Sequence, residues 1–209
     1  MAYLVLVRHG LTGWNKEGRW QGFTDIPISV EGKEEIIQAA GTLQDIRIDI
    51  AYTSNLTRTK QTYQEISNFL KLTCPVFPES ALNERDYGIY NGRNKWEVEK
   101  ELGEKEFEKL RRDFDYPIPA GETLRNVYER VVPFYRVTVL NDLKLNKNVL
   151  VVSSGNTIRA LLKYLENISD EEISKVHLGF GDVYVFEVDQ LGKVMGKETR
   201  AKGLCQGKH

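Results

Sequence analysis

Residues 3–7 of the chain, Tyr-Leu-Val-Leu-Val, are apolar without a break and run directly into Arg8-His9-Gly10. A half-exposed strand alternates apolar and polar residues, so an unbroken run marks a strand covered on both faces, as in parallel sheets flanked by helices. Further strand candidates, rich in Val, Ile and Tyr, occur at Ile48–Thr53, Cys74–Phe77, Asn148–Ser153 and Asp182–Val188. Helical stretches separate them. Glu31–Gln44 follows a capping Ser29, and Thr57–Leu70 carries Tyr63, Ile66, Phe69 and Leu70 on one face. Gly121–Leu143 is a third, which Pro133 is expected to kink, and Thr157–Leu165 is a fourth. This alternation predicts an α/β fold, three layers α/β/α around a mainly parallel sheet. The charged stretch Asn94–Asp113 spaces Trp96, Val98, Leu102, Phe107 and Leu110 for amphipathic helices. It reads as a helical insertion over residues 92–120 of a single domain spanning 1–209, with 201–209 expected as a mobile tail.

Composition narrows the function classes. In 209 residues, 29 Lys+Arg face 30 Asp+Glu for a net charge of −1, which gives no general attraction for nucleic acid or an anionic membrane. No apolar run approaches the ~18 residues of a membrane span. The start, Met1-Ala2-Tyr3, lacks the charged and apolar regions of a signal peptide. Cys74 and Cys205 make neither a disulfide framework nor a metal spacing, so a reducing, cytoplasmic setting is expected. The three histidines, His9, His177 and His209, are far apart, and no metal site is expected.

In open parallel sheets, ligands sit beyond the carboxyl ends of the strands. The first strand candidate ends in Arg8-His9-Gly10, the second leads through Ser54 to Arg58 in the first turn of a helix, and the fourth ends in Ser154-Gly155-Asn156. Glycines there let backbone approach a ligand, and a helix N-terminus offers N–H groups to an anion. Arginine beside histidine suits phosphate, because a guanidinium grips its oxygens while an imidazole attacks phosphorus. Taken singly, His9 reads as a structural histidine and Arg58 as a solvated helix residue. Their placement at three strand ends favours a dianion pocket.

Arg8-His9-Gly10, Ser54…Arg58-Thr59…Gln61-Thr62 and Gly155-Asn156-Thr157-Ile158-Arg159-Ala160 resemble the histidine phosphatase superfamily. Within it, three stretches are most similar to cofactor-dependent phosphoglycerate mutases. They are Leu82–Gly88 continuing to Asn91–Lys95, Arg111-Arg112 through Pro117, and Pro119–Leu124. The resemblance covers residues 3 to about 188. It implies that His9 is the phosphorylated nucleophile, that Arg8 and Arg58 hold phosphoryl oxygens, and that Glu84 is the general acid/base. Asn15, Gly155 and Asn156 are implied as further phosphate contacts. Tyr87, Lys95, Arg111 and Arg112 are implied to hold the carboxylate and second phosphate of the substrate. Gln21-Gly22 occupies the place of a substrate-contacting Thr-Gly pair, and the segment Gly18–Pro27 looks more like the phosphatase branches. Outside this context Arg111-Arg112 reads as an exposed helix end, and Tyr87 and Trp96 as cap packing. The implied reaction needs priming by 2,3-bisphosphoglycerate and no metal, with small phosphorylated acids as partners. Relatives form dimers and tetramers; a homodimer is the expectation.

One position departs from the family. Ser154 stands where a second histidine is expected to donate to the transferring phosphoryl group. Losing one preorganised donor commonly costs ~10²–10³ in rate, so impaired turnover is expected. A natural variant with altered chemistry, a non-catalytic phosphometabolite-binding relative and an introduced substitution all fit that serine. A phosphomonoester phosphatase is the alternative activity. His177 is read as a surface residue.

Overall fold

The computed structural model describes residues 1–201. Six strands form one sheet: β1 Ala2–Arg8, β2 Ile50–Thr53, β3 Val76–Pro78, β4 Val149–Ser153, β5 Val183–Val188 and β6 Val194–Ala201. Their order is β3-β2-β4-β1-β5-β6. The first four in that order run parallel, and β5 and β6 close one side antiparallel. The sheet is therefore mixed, with its parallel half carrying the three strand ends singled out above.

The unbroken apolar run of β1 has its cause in the layers on either side. Leu4 and Leu6 point into a core with Tyr52, Val149, Val151, Leu124, Val127 and Ile158. Val5 and Val7 point the other way, against Ile36, Leu43, Ile66, Leu150 and Val152. Helices α1 Gly13–Lys16, α2 Val30–Gly41 and α3 Thr57–Leu70 precede the middle of the chain. Helices α4 Lys95–Leu102 and α5 Glu104–Arg112 follow, within the predicted insertion. They bury Val98, Phe107 and Leu110 against Trp20, Tyr87, Tyr90 and Ile118, a third and smaller core. Trp96 fills the space beside Gly18, whose missing Cβ would lie 2.2 Å from the indole.

Four sequence expectations need correction. The long helix over Gly121–Leu143 is α6 Leu124–Phe134, a π turn Tyr135–Val139 and α7 Leu140–Lys144. Thr123 caps α6 through a capping box with Asn126, and Pro133 has no N–H to donate, so the ladder changes register just beyond it. The last helix, α8 Gly155–Leu165, starts two residues earlier than predicted. Strand β6 was not expected: Met195-Gly-Lys-Glu-Thr-Arg200 is polar because β6 is an edge strand with one solvated face. Ala201 pairs with Val183 at the end of β6 and so is not part of a tail; residues 202–209 lie outside the described residues.

Candidate active site

Arg8 and Ser153, the last residues of β1 and β4, are register partners, and the His9 N–H donates to the Ser153 carbonyl at 2.9 Å. That pairing sets His9 beside Ser154. His9 is buried, and its Nδ1 lies 2.8 Å from the Gly10 carbonyl oxygen. A carbonyl only accepts, so Nδ1 carries the proton and Nε2 keeps its lone pair. Burial pushes the imidazole well below the usual histidine range, and Arg58 and Arg8 push the same way. The ring is therefore neutral at neutral pH, with the Nε2 lone pair unprotonated.

Two guanidiniums flank it, that of Arg58 fully buried and that of Arg8 partly so. Arg8 lies 3.8 Å from the centroid of the Phe180 ring and donates Nη1 to the Leu178 carbonyl at 2.6 Å. Arg58 donates Nη1 to the Thr24 carbonyl and Nη2 to the Gly22 carbonyl, at 3.0 and 2.8 Å. The Nε of each is buried without a hydrogen-bond partner, and so is the Ser154 hydroxyl. An unpaired buried donor costs about 1–3 kcal/mol, so three in one place mark where a ligand supplies acceptors. Gly155 opens α8, and a Cβ on it would sit 3.3 Å from Arg8 Nε, so the glycine admits Arg8 to the N-terminus of α8.

The Arg58 carbonyl partners belong to the Gly18–Pro27 segment, which Asp25 fastens to α3 by accepting from Thr57 N and Oγ at 2.6 and 2.7 Å. Gln21 is buried with its Oε1 unpartnered. Gly22 adopts φ +49°, and a Cβ there would come within 2.1 Å of Asn91 Oδ1. Gly22→Ala is therefore expected to cost about 2 kcal/mol or more of stability and to loosen Arg58, read as a lower melting temperature with weaker inhibition by inorganic phosphate.

Glu84 follows a segment held by Arg130, which donates to the Ala81 and Glu84 carbonyls and forks onto Glu122. The Glu84 carboxylate accepts from Arg85 N at 2.8 Å and Asn156 N at 3.1 Å. The Asn156 amide donates to the Tyr87 hydroxyl at 2.8 Å. Lys95, Arg111 and Arg112 come together at the facing ends of α4 and α5. The ammonium of Lys95 feels Arg111, Arg8, Glu84 and Arg112, and burial and then Arg111 pull its pKa down to about 8. A lowered lysine pKa means that positive charge is lost as pH rises through about 8. Affinity of the ligand-free protein for a multiply charged anion is therefore expected to fall between pH 7 and 9, and Lys95→Met to flatten that part of the profile.

Of the predicted residues, Asn15 is engaged locally. Its Oδ1 accepts from Thr12 N and Oγ in the capping box of α1, leaving its amide hydrogens for other partners. His177 is exposed, as expected, though Arg112 and then desolvation lower its pKa. Sequence reasoning gave no role to Phe180, Asp25, Arg130 or Arg159. Phe180 and Asp25 lie in loops, where spacing carries no signal; Arg159 was visible within its motif without a function. A hollow of about 570 Å³ at the amino ends of the strands, lined by Leu43–Asp49 and Leu70–Cys74, holds none of these residues. Among the described residues no cluster of His, Cys, Asp or Glu could hold a metal ion, and no helix is long and apolar enough to cross a membrane.

The model of the histidine phosphatase superfamily, branch 1, matches residues 4–197. The chain belongs to the histidine phosphatase superfamily. Among superfamily relatives, a 2,3-bisphosphoglycerate-dependent phosphoglycerate mutase from Cytophaga hutchinsonii is 38% identical over 90% of this chain and 88% of its own. Phosphoglycerate mutase 1 of Saccharomyces cerevisiae is 34% identical over 91% and 88%. Among solved structures, a mycobacterial glucosyl-3-phosphoglycerate phosphatase shares the fold with a TM-score of 0.80 at 20% identity, covering 97% of this chain and 100% of that one.

Proposed function

We propose that this chain catalyses phosphoglycerate mutase-type phosphoryl transfer, interconverting 3- and 2-phosphoglycerate through a phosphohistidine at His9. The observation that carries the reading is the pairing of two cation groups. Arg8 and Arg58 flank the His9 imidazole, and Lys95 lies within electrostatic reach of Arg111 and Arg112 on one side and of Arg8 and Glu84 on the other. A simple phosphate ester matches only the first group, whereas a phosphorylated hydroxy acid carries charge for both. The curated relatives named as mutases, at 34–38% identity, support the same substrate class.

His9 Nε2 attacks phosphorus as the bond from phosphorus to the bridging oxygen breaks. Glu84 protonates the departing oxygen and, in the return step, takes the proton from the hydroxyl that accepts the phosphoryl group. Arg8, Arg58 and the N-terminus of α8 carry the charge that builds on the equatorial oxygens. Their unpartnered Nε atoms fit a bound phosphoryl group, and priming by 2,3-bisphosphoglycerate would load it. Metal plays no part in this scheme. The reading takes small phosphorylated acids as partners in the cytoplasm, with a homodimer as the expected assembly.

A phosphatase reading is favoured by the Gly18–Pro27 segment, with Gln21-Gly22 in place of the Thr-Gly pair of the mutase pattern. Steady-state assay with 3-phosphoglycerate separates the two. The mutase reading expects 2-phosphoglycerate in proportion to the priming bisphosphate; release of inorganic phosphate as the sole product supports the phosphatase.

A further inference from the structure

Arg159, in the second turn of α8, is buried with 8% of its surface exposed. It donates Nη1 to Asn156 Oδ1 at 2.8 Å and Nε to the Val176 carbonyl at 3.3 Å. It forms no ion pair among the described residues; its charged neighbours, Arg112, Arg85 and Arg8, are cations. A buried cation with no acid beside it is costly, and Arg159 lies one link away from the groups assigned to the substrate.

The chain of hydrogen bonds has a direction. Guanidinium nitrogens only donate, so Asn156 must present Oδ1 to Arg159 and therefore Nδ2 to Tyr87. The Tyr87 hydroxyl then accepts, which leaves its one hydrogen to be donated elsewhere. Without Arg159 the Asn156 amide is free to turn over. Its oxygen would then accept the phenol hydrogen, and Tyr87 would present lone pairs to an incoming anion.

We infer that Arg159 is a positioning residue that, through Asn156, fixes Tyr87 as a hydrogen-bond donor to the anionic group of the substrate. The inference rests on the proposed role of Tyr87 in holding the carboxylate or second phosphate. Arg159 touches no reacting atom in this account. Its effect on the substrate passes through one amide and one phenol, so it belongs with KM and not with the phosphoryl-transfer step. Cooperative polarisation along such a chain strengthens the final bond.

A double-mutant cycle tests it, with binding read by calorimetry for 3-phosphoglycerate and for inorganic pyrophosphate, an anion that needs no turnover. A hydrogen bond to a charged group is worth about tenfold or more in affinity, so Arg159→Met is expected to weaken binding by about that factor. In a Tyr87→Phe background the same change is expected to cost less than about twofold, because the phenol it orients is gone. Arg159→Lys, which keeps a donor for Asn156 Oδ1, is expected to recover most of the affinity. Equal losses in both backgrounds, with both ligands, would overturn the relay and leave Arg159 as a plain source of positive charge. Coupling seen with pyrophosphate, together with no binding of 3-phosphoglycerate by the wild type, would refute the proposed substrate and leave the relay standing. Should Arg159→Met fail to fold, Asn156→Asp carries the same test without a cavity. A carboxylate accepts from both neighbours, so it must reverse Tyr87; its charge repels the anion in both backgrounds, and the relay therefore expects a loss several-fold larger in the wild-type background than in Tyr87→Phe, equal losses overturning it.

Discussion

His9→Ala is expected to reduce phosphoryl transfer by ~10⁴-fold or more, about 5 kcal/mol of transition-state stabilisation, and to abolish acid-labile phosphate on the protein. The size of the effect follows from how completely the site is built around this one ring. Its Nδ1–H is spent on Gly10, its Nε2 lone pair is kept unprotonated by burial and by two guanidiniums, and among the described residues the other histidine, His177, is at the surface. His177 is on the surface beside Arg112 and Arg159 and cannot take its place. Alanine leaves Arg8, Arg58 and the N-terminus of α8 in position, so the affinity for 3-phosphoglycerate is expected to stay within about threefold of wild type. That split between lost chemistry and kept binding separates a nucleophile from a packing residue. Activity equal to wild type would remove the assignment.

The second large effect concerns Ser154. Its hydroxyl is fully buried, lacks a partner and makes no capping bond to α8, although it stands at the N-cap position where serine usually makes one. Its hydroxyl is therefore not spent on the helix, and it follows β4 beside the end of β1 that carries His9. Serine supplies one neutral donor; a histidine supplies a longer reach and, when protonated, a charge. Ser154→His is expected to raise the mutase rate at least about tenfold, within the range that one preorganised donor commonly contributes. The larger ring has to be accommodated at a closed position, so a stability loss of about 1–3 kcal/mol is expected alongside, read from the melting temperature. An unchanged rate in a folded variant would mean that the present site already has its donor, with Arg8 Nε and Arg58 Nε the groups left to supply it.

What the sequence made legible follows from which physical signals are local. Burial on both faces is written directly into β1, because every residue from Leu4 to Val7 must be apolar when helices cover both sides. Thr57–Leu70 is read correctly end to end because its apolar face repeats at helical spacing. Strand β6 carries no such signal, since its stability comes from pairing with β5 while none of its side chains is fully buried. The continuation of α6 through a π turn was also hidden. A proline announces a break in the ladder and says nothing about how the chain recovers from it.

At the site, the β1–β4 register puts Arg8, His9, Ser154, Gly155 and Asn156 in one place; their position at strand ends is legible in the sequence, and the register itself is not. The supporting contacts were not visible. Arg130 reaches 46 residues back to the Glu84 carbonyl, and Asp25 reaches 32 residues forward to Thr57. Such contacts depend on where loops land after the sheet has formed, and no periodicity encodes them. Arg159 is intermediate: it lies three residues beyond Asn156, on the same helical face, so their meeting was readable, but the direction it imposes on Tyr87 was not.

The most direct test of the account is the fate of the phosphoryl group on His9. The protein would be labelled with 2,3-bisphosphoglycerate, freed of excess, and chased with 3-phosphoglycerate in a single turnover. The account predicts that the label leaves His9 as bisphosphoglycerate faster than it is lost to water when no acceptor is present. Release of the label as inorganic phosphate at the same rate with and without 3-phosphoglycerate would contradict it, and would make water the acceptor for which this site is built.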